Sequence, residues 1–290
     1  MDEFALIDQI VDALGAASLA EGVSVGPGDD AAVIRSTPGL SQVASIDTLL
    51  ADVHFPQAAP AQLIGYRTMM VALSDLAAMA ASPRYALVSL TLDQPDPAWV
   101  RALAQGMAEA ALSTNTGICG GNLSRGPMSI TVSVHGEAES SAIPLRAGAR
   151  PGDGVYVSGP LGAAAGCVRR RDYEVGAQLT PAQQAYFKPQ ARFDCQAQLA
   201  HASAAIDISD GLVADLHHIA NASSVGLQIA TAQIPLGAEA ALDDALYGGD
   251  DYQLAATSEA PLEGFHRIGQ VVQQTGVYLD GEPAEIKGKQ

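Results

Sequence analysis

Aspartate recurs beside glycine, serine or a second aspartate at five places: Gly28-Asp29-Asp30, Ser45-Ile46-Asp47, Ser74-Asp75, Asp207-Ile208-Ser209-Asp210-Gly211 and Gly248-Gly249-Asp250-Asp251. One such group alone reads as a helix cap or a turn, because the Asp side chain bonds nearby backbone amides. Five together suggest a binding chemistry. Carboxylates gathered in one place repel each other unless cations neutralise them, and all-oxygen ligand sets suit magnesium rather than zinc. The adjoining glycines let backbone amides approach phosphate oxygens, as in anion-binding nests. Residues 207–211 are the sharpest group, with two carboxylates, a hydroxyl and a helix N-terminus in one turn.

The missing parts narrow the chemistry further. There is no G-x-x-x-x-G-K-[ST] loop and no protein-kinase signature set, and no nucleophile is expected in a strand-to-helix elbow. Phosphoryl transfer asks mainly for positioning and charge neutralisation, which metal ions and aspartates supply. An acceptor that is itself a phosphate is already ionised and needs no general base, which suits a site without an evident catalytic His or Cys.

The elements that would position these groups mix helices and strands in both halves of the chain. Phe4, Ile7, Ile10, Val11 and Leu14 recur at helical spacing and predict an opening helix ending near Gly15. Residues 43–47 read as a short buried strand, 61–81 as a long helix stopped before Pro83, and 85–92 as a strand. Trp99, Leu103 and Met107 share one helix face, and Ile130, Val132 and Val134 alternate as in a half-buried strand. The stretch 144–153, rich in Gly and Pro, breaks the periodicity and predicts a junction between domains 1–140 and 141–290. Beyond it, 155–157, 205–208, 227–230 and 251–256 read as strands, 162–168 and 211–221 as helices, and Asp280-Gly281 as a hairpin turn. The fold class is α/β (α+β) with two domains.

Composition sets outer limits. With 290 residues, 48% hydrophobic and 16% charged, the chain can bury a large core. A formal net charge of −17 argues against a nucleic-acid partner, which would demand clustered Lys and Arg. A nucleotide could still bind through metal ions that bridge carboxylates to phosphates. No run reaches the roughly 18 apolar residues of a membrane helix. Met1-Asp2-Glu3-Phe4 lacks the marks of a signal peptide, so a cytoplasmic protein is expected. Cys119, Cys167 and Cys195 are too scattered for a disulfide framework or a thiolate zinc site and read as packing residues.

Taken in order, the motifs resemble the thiamine-monophosphate kinase family, a branch of the aminoimidazole ribonucleotide synthetase-like superfamily. They are G-x-G-D-D-A-A around Asp29 and Asp30, S-x-D-T at 45–48, L-S-D-L-A-A-M at 73–79, G-G-x-x-x-R-G-P at 120–127, P-G-D at 151–153, D-I-S-D-G-L at 207–212 and G-G-D-D-Y at 248–252. The resemblance implies a first domain that forms a sheet-mediated homodimer, several magnesium ions, and direct transfer of the ATP γ-phosphate to thiamine monophosphate. By position it implies metal ligation by Asp30, Ser45, Ile46 through its carbonyl, Asp47, Asp75, Asn122, Asp207 and Asp210. Asp30, Asp75, Asp207 and Asp210 would be the catalytic set. It implies ATP contacts at Gly121, Asn122, Arg146 and Ser209, and thiamine contacts at His54 and Asp250. The chain departs from the family at Ile46, where a threonine is usual, at Asn122, where an aspartate is usual, and in Glu285-Ile286-Lys287-Gly288, where an aromatic residue is expected. A paralogue with another phosphate acceptor, and a nucleotide-binding protein without turnover, are the alternatives.

Overall fold

The computed structural model describes residues 3–19, 21–28, 30–94 and 96–286, except for the side chains of Glu3 and Phe4. Asp29, Lys287 and Gly288 therefore lie outside the described residues. The chain divides into two compact units, Met1–Leu76 with Ala81–Ser140, and Ala77–Ala80 with Ser141–Gln290.

The first unit opens with helix α1 (Glu3–Leu14), whose Leu6 and Leu14 are buried. Strands β1 (Val23–Val25) and β2 (Val33–Ile34) follow and pair with each other. The rest alternates: β3 (Ser41–Leu50), α2 (Ala61–Ala78), β4 (Ser82–Leu92), α3 (Pro97–Ser113), β5 (Gly117–Arg125) and β6 (Ser129–Ala138). The last four strands form a sheet in the order β3-β6-β4-β5. Only β4 and β5 run parallel, which requires the crossover that α3 supplies. Helix α3 starts sharply because the Asp96 side chain accepts the Ala98 N–H and Pro97 stands at its first position. In β6, Ile130, Val132 and Val134 are buried, while Thr131 and Ser133 lie on the other face.

Two expectations change. The stretch 43–47 belongs to a ten-residue edge strand, and its Gln42, Ala44, Ile46 and Thr48 face outward. Exposure alternates along it, as it must when only one face is covered, although polar residues stand on both faces. The helix expected over 61–81 stops at Ala78, and Pro83 lies inside β4 next to an irregularity between Pro83 and Tyr85, a position where a missing N–H is tolerated.

The second unit comprises β7 (Gly154–Val157), α4 (Ala163–Arg170), α5 (Pro181–Phe187), α6 (Gln196–Leu199), β8 (Ala204–Asp207), α7 (Leu212–Ser223), β9 (Gly226–Ile229), α8 (Leu242–Tyr247), β10 (Leu254–Ser258), β11 (His266–Val272), β12 (Gly276–Leu279) and β13 (Glu282–Pro283). Its sheet runs β13-β12-β9-β11-β7-β10-β8, which leaves β8 at an edge. Both faces are covered. Val155, Val157, Ile206, Leu227 and Ile268 pack with Leu212, Leu216 and Ile219 of α7. Tyr156, Ala205, Leu254 and Ala256 pack with Cys195, Leu199 and Leu262. Strands β7 and β8 are buried along their whole length, which explains their uninterrupted apolar reading. Asp280 and Gly281 both have positive φ, 51° and 94°, as the turn between β12 and β13 demands. The region expected as a strand from Asp251 becomes one only at Leu254, because Asp250 and Tyr252 also take positive φ.

Candidate active site

In the first unit, Ser45 and Asp47 stand two residues apart on β3 and so share a face. The Ser45 hydroxyl donates to Asp75 Oδ2 on α2. Burial, with the Asp75 carboxylate as a second cause, pushes the Asp47 carboxyl up to about 6 from 3.8. Two carboxylates and a hydroxyl thus crowd together with oxygen donors alone. A hard divalent cation satisfies such a set, and without one the Asp75 charge opposes ionisation of Asp47.

Ile46 points the other way: it is 65% exposed and pairs with Ser133 on the outer face of the sheet. A threonine hydroxyl there would also face away from Asp47, so any metal contact at this position falls to the backbone carbonyl. Asn122 does not join the carboxylates. Through the ladder it lies in one row with Ser89, Thr131 and Thr48, while Asp47 lies in the adjacent row with Val132, Val88 and Gly121. Adjacent rows face opposite sides, and β3 and β5 are opposite edges of the sheet, about 14 Å apart at ~4.8 Å per strand. Asn122 therefore cannot share an ion with Asp47 in one chain. Its amide donates to Ser124 Oγ at 2.9 Å.

Asp30 is exposed in the turn before β2. His54 is exposed after β3, and its Nδ1 accepts the Leu50 N–H at 3.0 Å. In the neutral ring that bond leaves the proton on Nε2. Gly22-Val23-Ser24-Val25-Gly26 has the spacing of a hydrolase elbow, but Ser24 lies mid-strand in β1 and the next regular element is β2, so no strand-to-helix turn presents it.

In the second unit, the loop after β8 and the loop before β10 interlock. Asp250 N donates to Ser209 O at 3.0 Å, Tyr252 N to Ile208 O at 2.8 Å, and Ile208 N to Gln253 O at 2.7 Å. Glycine is required at two points of this contact. A Cβ on Gly249 would meet Ser209 O at 2.3 Å, one on Gly211 would meet the Tyr247 carbonyl carbon at 2.9 Å, and both residues have positive φ. Asp207 is buried at the end of β8, Asp210 is exposed, and Asp250 accepts from the Tyr252 hydroxyl at 3.0 Å. Asp251 is half-buried, and its Oδ1 accepts the Gly162 N–H at 2.7 Å; loss of solvent around the carboxyl holds it well above the usual range. Arg146 is exposed, and its carbonyl accepts from Ser223.

The phosphate nest expected at residues 207–211 is already filled. Asp215 Oδ2 accepts from the amides of Ser209, Asp210 and Gly211 at 3.0, 3.1 and 3.2 Å. Asp215 is 2% exposed, and burial pushes its carboxyl up to about 7 against the pull of these amides. A polar atom of His218, one turn further along α7, lies within 4.8 Å of those of Asp210 and Asp215. The sequence reading missed both residues. The available signal was a carboxylate on the apolar stripe of a helix, since Asp215 falls between Leu212, Leu216 and Ile219.

The family models described as AIR synthase related protein match this chain twice, the N-terminal domain at residues 28–138 and the C-terminal domain at 150–281. Thiamine-monophosphate kinase of Escherichia coli (strain K12) is 36% identical over 276 residues, covering 88% of this chain and 82% of that protein. The crystal structure of thiamine-monophosphate kinase from Stenotrophomonas maltophilia K279a superposes with a TM-score of 0.87 at 34% identity, over 98% of both chains. A structure described as AaThiL complexed with AMPPCP and TMP gives a TM-score of 0.80 at 31% identity, over 99% of this chain and 96% of that one. With both family domains present and kinase relatives matched over most of its length, the chain belongs to the AIR synthase related proteins and, among them, to the thiamine-monophosphate kinase family.

Proposed function

We propose that the chain phosphorylates thiamine monophosphate with ATP and magnesium, giving thiamine diphosphate and ADP. The observation that carries this reading is the oxygen-only centre of Ser45, Asp47 and Asp75, in which burial, and after it the Asp75 charge, raises the Asp47 carboxyl to about 6. Such a centre suits a cation that bridges to phosphate, and the relatives matched over most of this chain are thiamine-monophosphate kinases. Magnesium, when bound, would neutralise the phosphate charges and polarise the transferred group.

In this reading an oxygen of the thiamine phosphate attacks the γ-phosphorus, the bond from γ-phosphorus to the bridging oxygen breaks, and ADP leaves with that electron pair. The attacking oxygen carries no proton to remove. Asp30, Ser45, Asp47, Asp75 and the Ile46 carbonyl would hold metal in the first unit, and Asp207 and Asp210 would be further ligands in the second. Gly121, Asn122, Arg146 and Ser209 contact the nucleotide. His54, with its ring fixed by the Leu50 amide, offers Nε2–H to the thiamine substrate, and Asp250, oriented by Tyr252, offers a carboxylate.

The outer face of the first unit's sheet supports a two-fold homodimer. It exposes Ile46 and Leu87 in one row and stacks Tyr85 on His135 at 4.5 Å in the next. We place the enzyme in the cytoplasm, where ATP and magnesium are available; no described helix is long and apolar enough to cross a membrane. The reading is tested by incubating the protein with thiamine monophosphate, ATP and magnesium. One-for-one formation of thiamine diphosphate and ADP supports it, and nucleotide binding without product contradicts it.

A further inference from the structure

Amides at the N-terminus of a helix that follows a glycine-containing loop usually serve as an anion site. In this chain they do not point at open space. The three amides of Ser209, Asp210 and Gly211 converge on one oxygen of Asp215, which sits in the first turn of α7 and is buried. An internal carboxylate thus takes the place that a phosphate oxygen would occupy. What remains outward on this loop is the Asp210 carboxylate, with the Ser209 hydroxyl beside it.

We infer that Asp215 is a positioning residue that closes the anion nest of the 207–211 loop and turns the loop into a cation-presenting one. Two consequences separate this from simple capping. First, a triphosphate can reach the loop only through a cation, so Asp215 makes nucleotide binding dependent on metal. Second, the loop geometry is set in the free protein, because the contacts to Ser209 and Ile208 from Asp250 and Tyr252 lock it from the other side. The two loops approach so closely that a Cβ on Gly249 would meet Ser209 O at 2.3 Å. Asp215 needs no contact with substrate to do this; it acts through Ser209 and Asp210.

The inference deepens the kinase reading and rests on it, yet its first test needs neither turnover nor a variant. Amide hydrogen exchange of Ser209, Asp210 and Gly211 is measured in the free protein and again with ATP and magnesium. Protection in both states, changing less than about threefold, is expected; amides that exchange freely and become protected only with ATP would overturn it.

The second test is Asp215→Asn, compared with Asp244→Asn, a buried acid of α8 that pairs with Arg169 and plays no part in the loop. Only Asp215→Asn should loosen the dependence on metal, lowering the magnesium concentration for half-maximal ATP binding by about tenfold and giving measurable ATP binding in excess EDTA. Equal magnesium requirements in the two variants, with no ATP binding in EDTA, would reduce Asp215 to a structural cap and sink the inference. Absence of turnover in the unsubstituted protein would instead count against the kinase reading and leave the exchange result standing.

Discussion

Asp47 is held in tension in the metal-free protein. Its carboxyl is pushed up to about 6 from 3.8, first by burial and then by Asp75. An acid whose folded value lies above its unfolded one adds stability that is complete below the unfolded value and is lost as pH rises through the folded one. The metal-free protein should therefore lose stability between about pH 4 and pH 7, and Asp47→Asn should remove that part of the slope. Thermal unfolding in EDTA across this range is the check: at pH 7 the variant should melt a few degrees higher, roughly what 1 kcal/mol yields in a domain of this size. Its turnover should nonetheless fall by about 10²-fold or more, because the charge that opposes folding is the charge that holds the metal. A variant that melts lower at pH 7 would show that Asp47 is stabilising and that the centre is not strained.

Strands and loops show where sequence was sufficient. Ser45 and Asp47 could be placed on one face from spacing alone, since period two follows from the pleat of a strand. The separation of Asn122 from Asp47 was not legible, because it depends on strand order: β3 and β5 are far apart in the sheet although each carries a family motif. The plugged nest was hidden for a similar reason, as no local rule says that the acid four positions past Gly211 folds back onto three amides. Strand β11 and helix α8 were also missed. The former is interrupted by Gly269, and the latter has six residues, too few for a helical period to show. Exposure at the sheet face yields a prediction at this scale. If the outer face pairs two chains, Leu87→Lys would bury an unpaired charge there and weaken association by about 100-fold, without loss of fold. Sedimentation at micromolar concentration reads this directly. A dimer of unchanged affinity, or a starting protein that is already monomeric, would rule that face out as the contact.

For the whole molecule, a net charge of −17 means that ATP approaches a protein of its own sign. Both units add to the problem locally, with Asp47 and Asp75 in one and Asp207, Asp210, Asp250 and Asp251 in the other. The sequence suggests a break near 144–153, where Gly and Pro end the periodic pattern, and the compact units divide after Ser140, with Ala77–Ala80 in the second; the sheet orders were not legible, since strand pairing is non-local. On the proposed reading, the charge and the acidic centres would make divalent metal part of the substrate rather than an accessory, with the thiamine phosphate as a ready nucleophile. The direct test is transfer of label from [γ-32P]ATP in the presence of thiamine monophosphate, with and without magnesium. Label in thiamine diphosphate with magnesium, and none in excess EDTA, is the predicted result; label only in inorganic phosphate, or transfer that persists in EDTA, would contradict it.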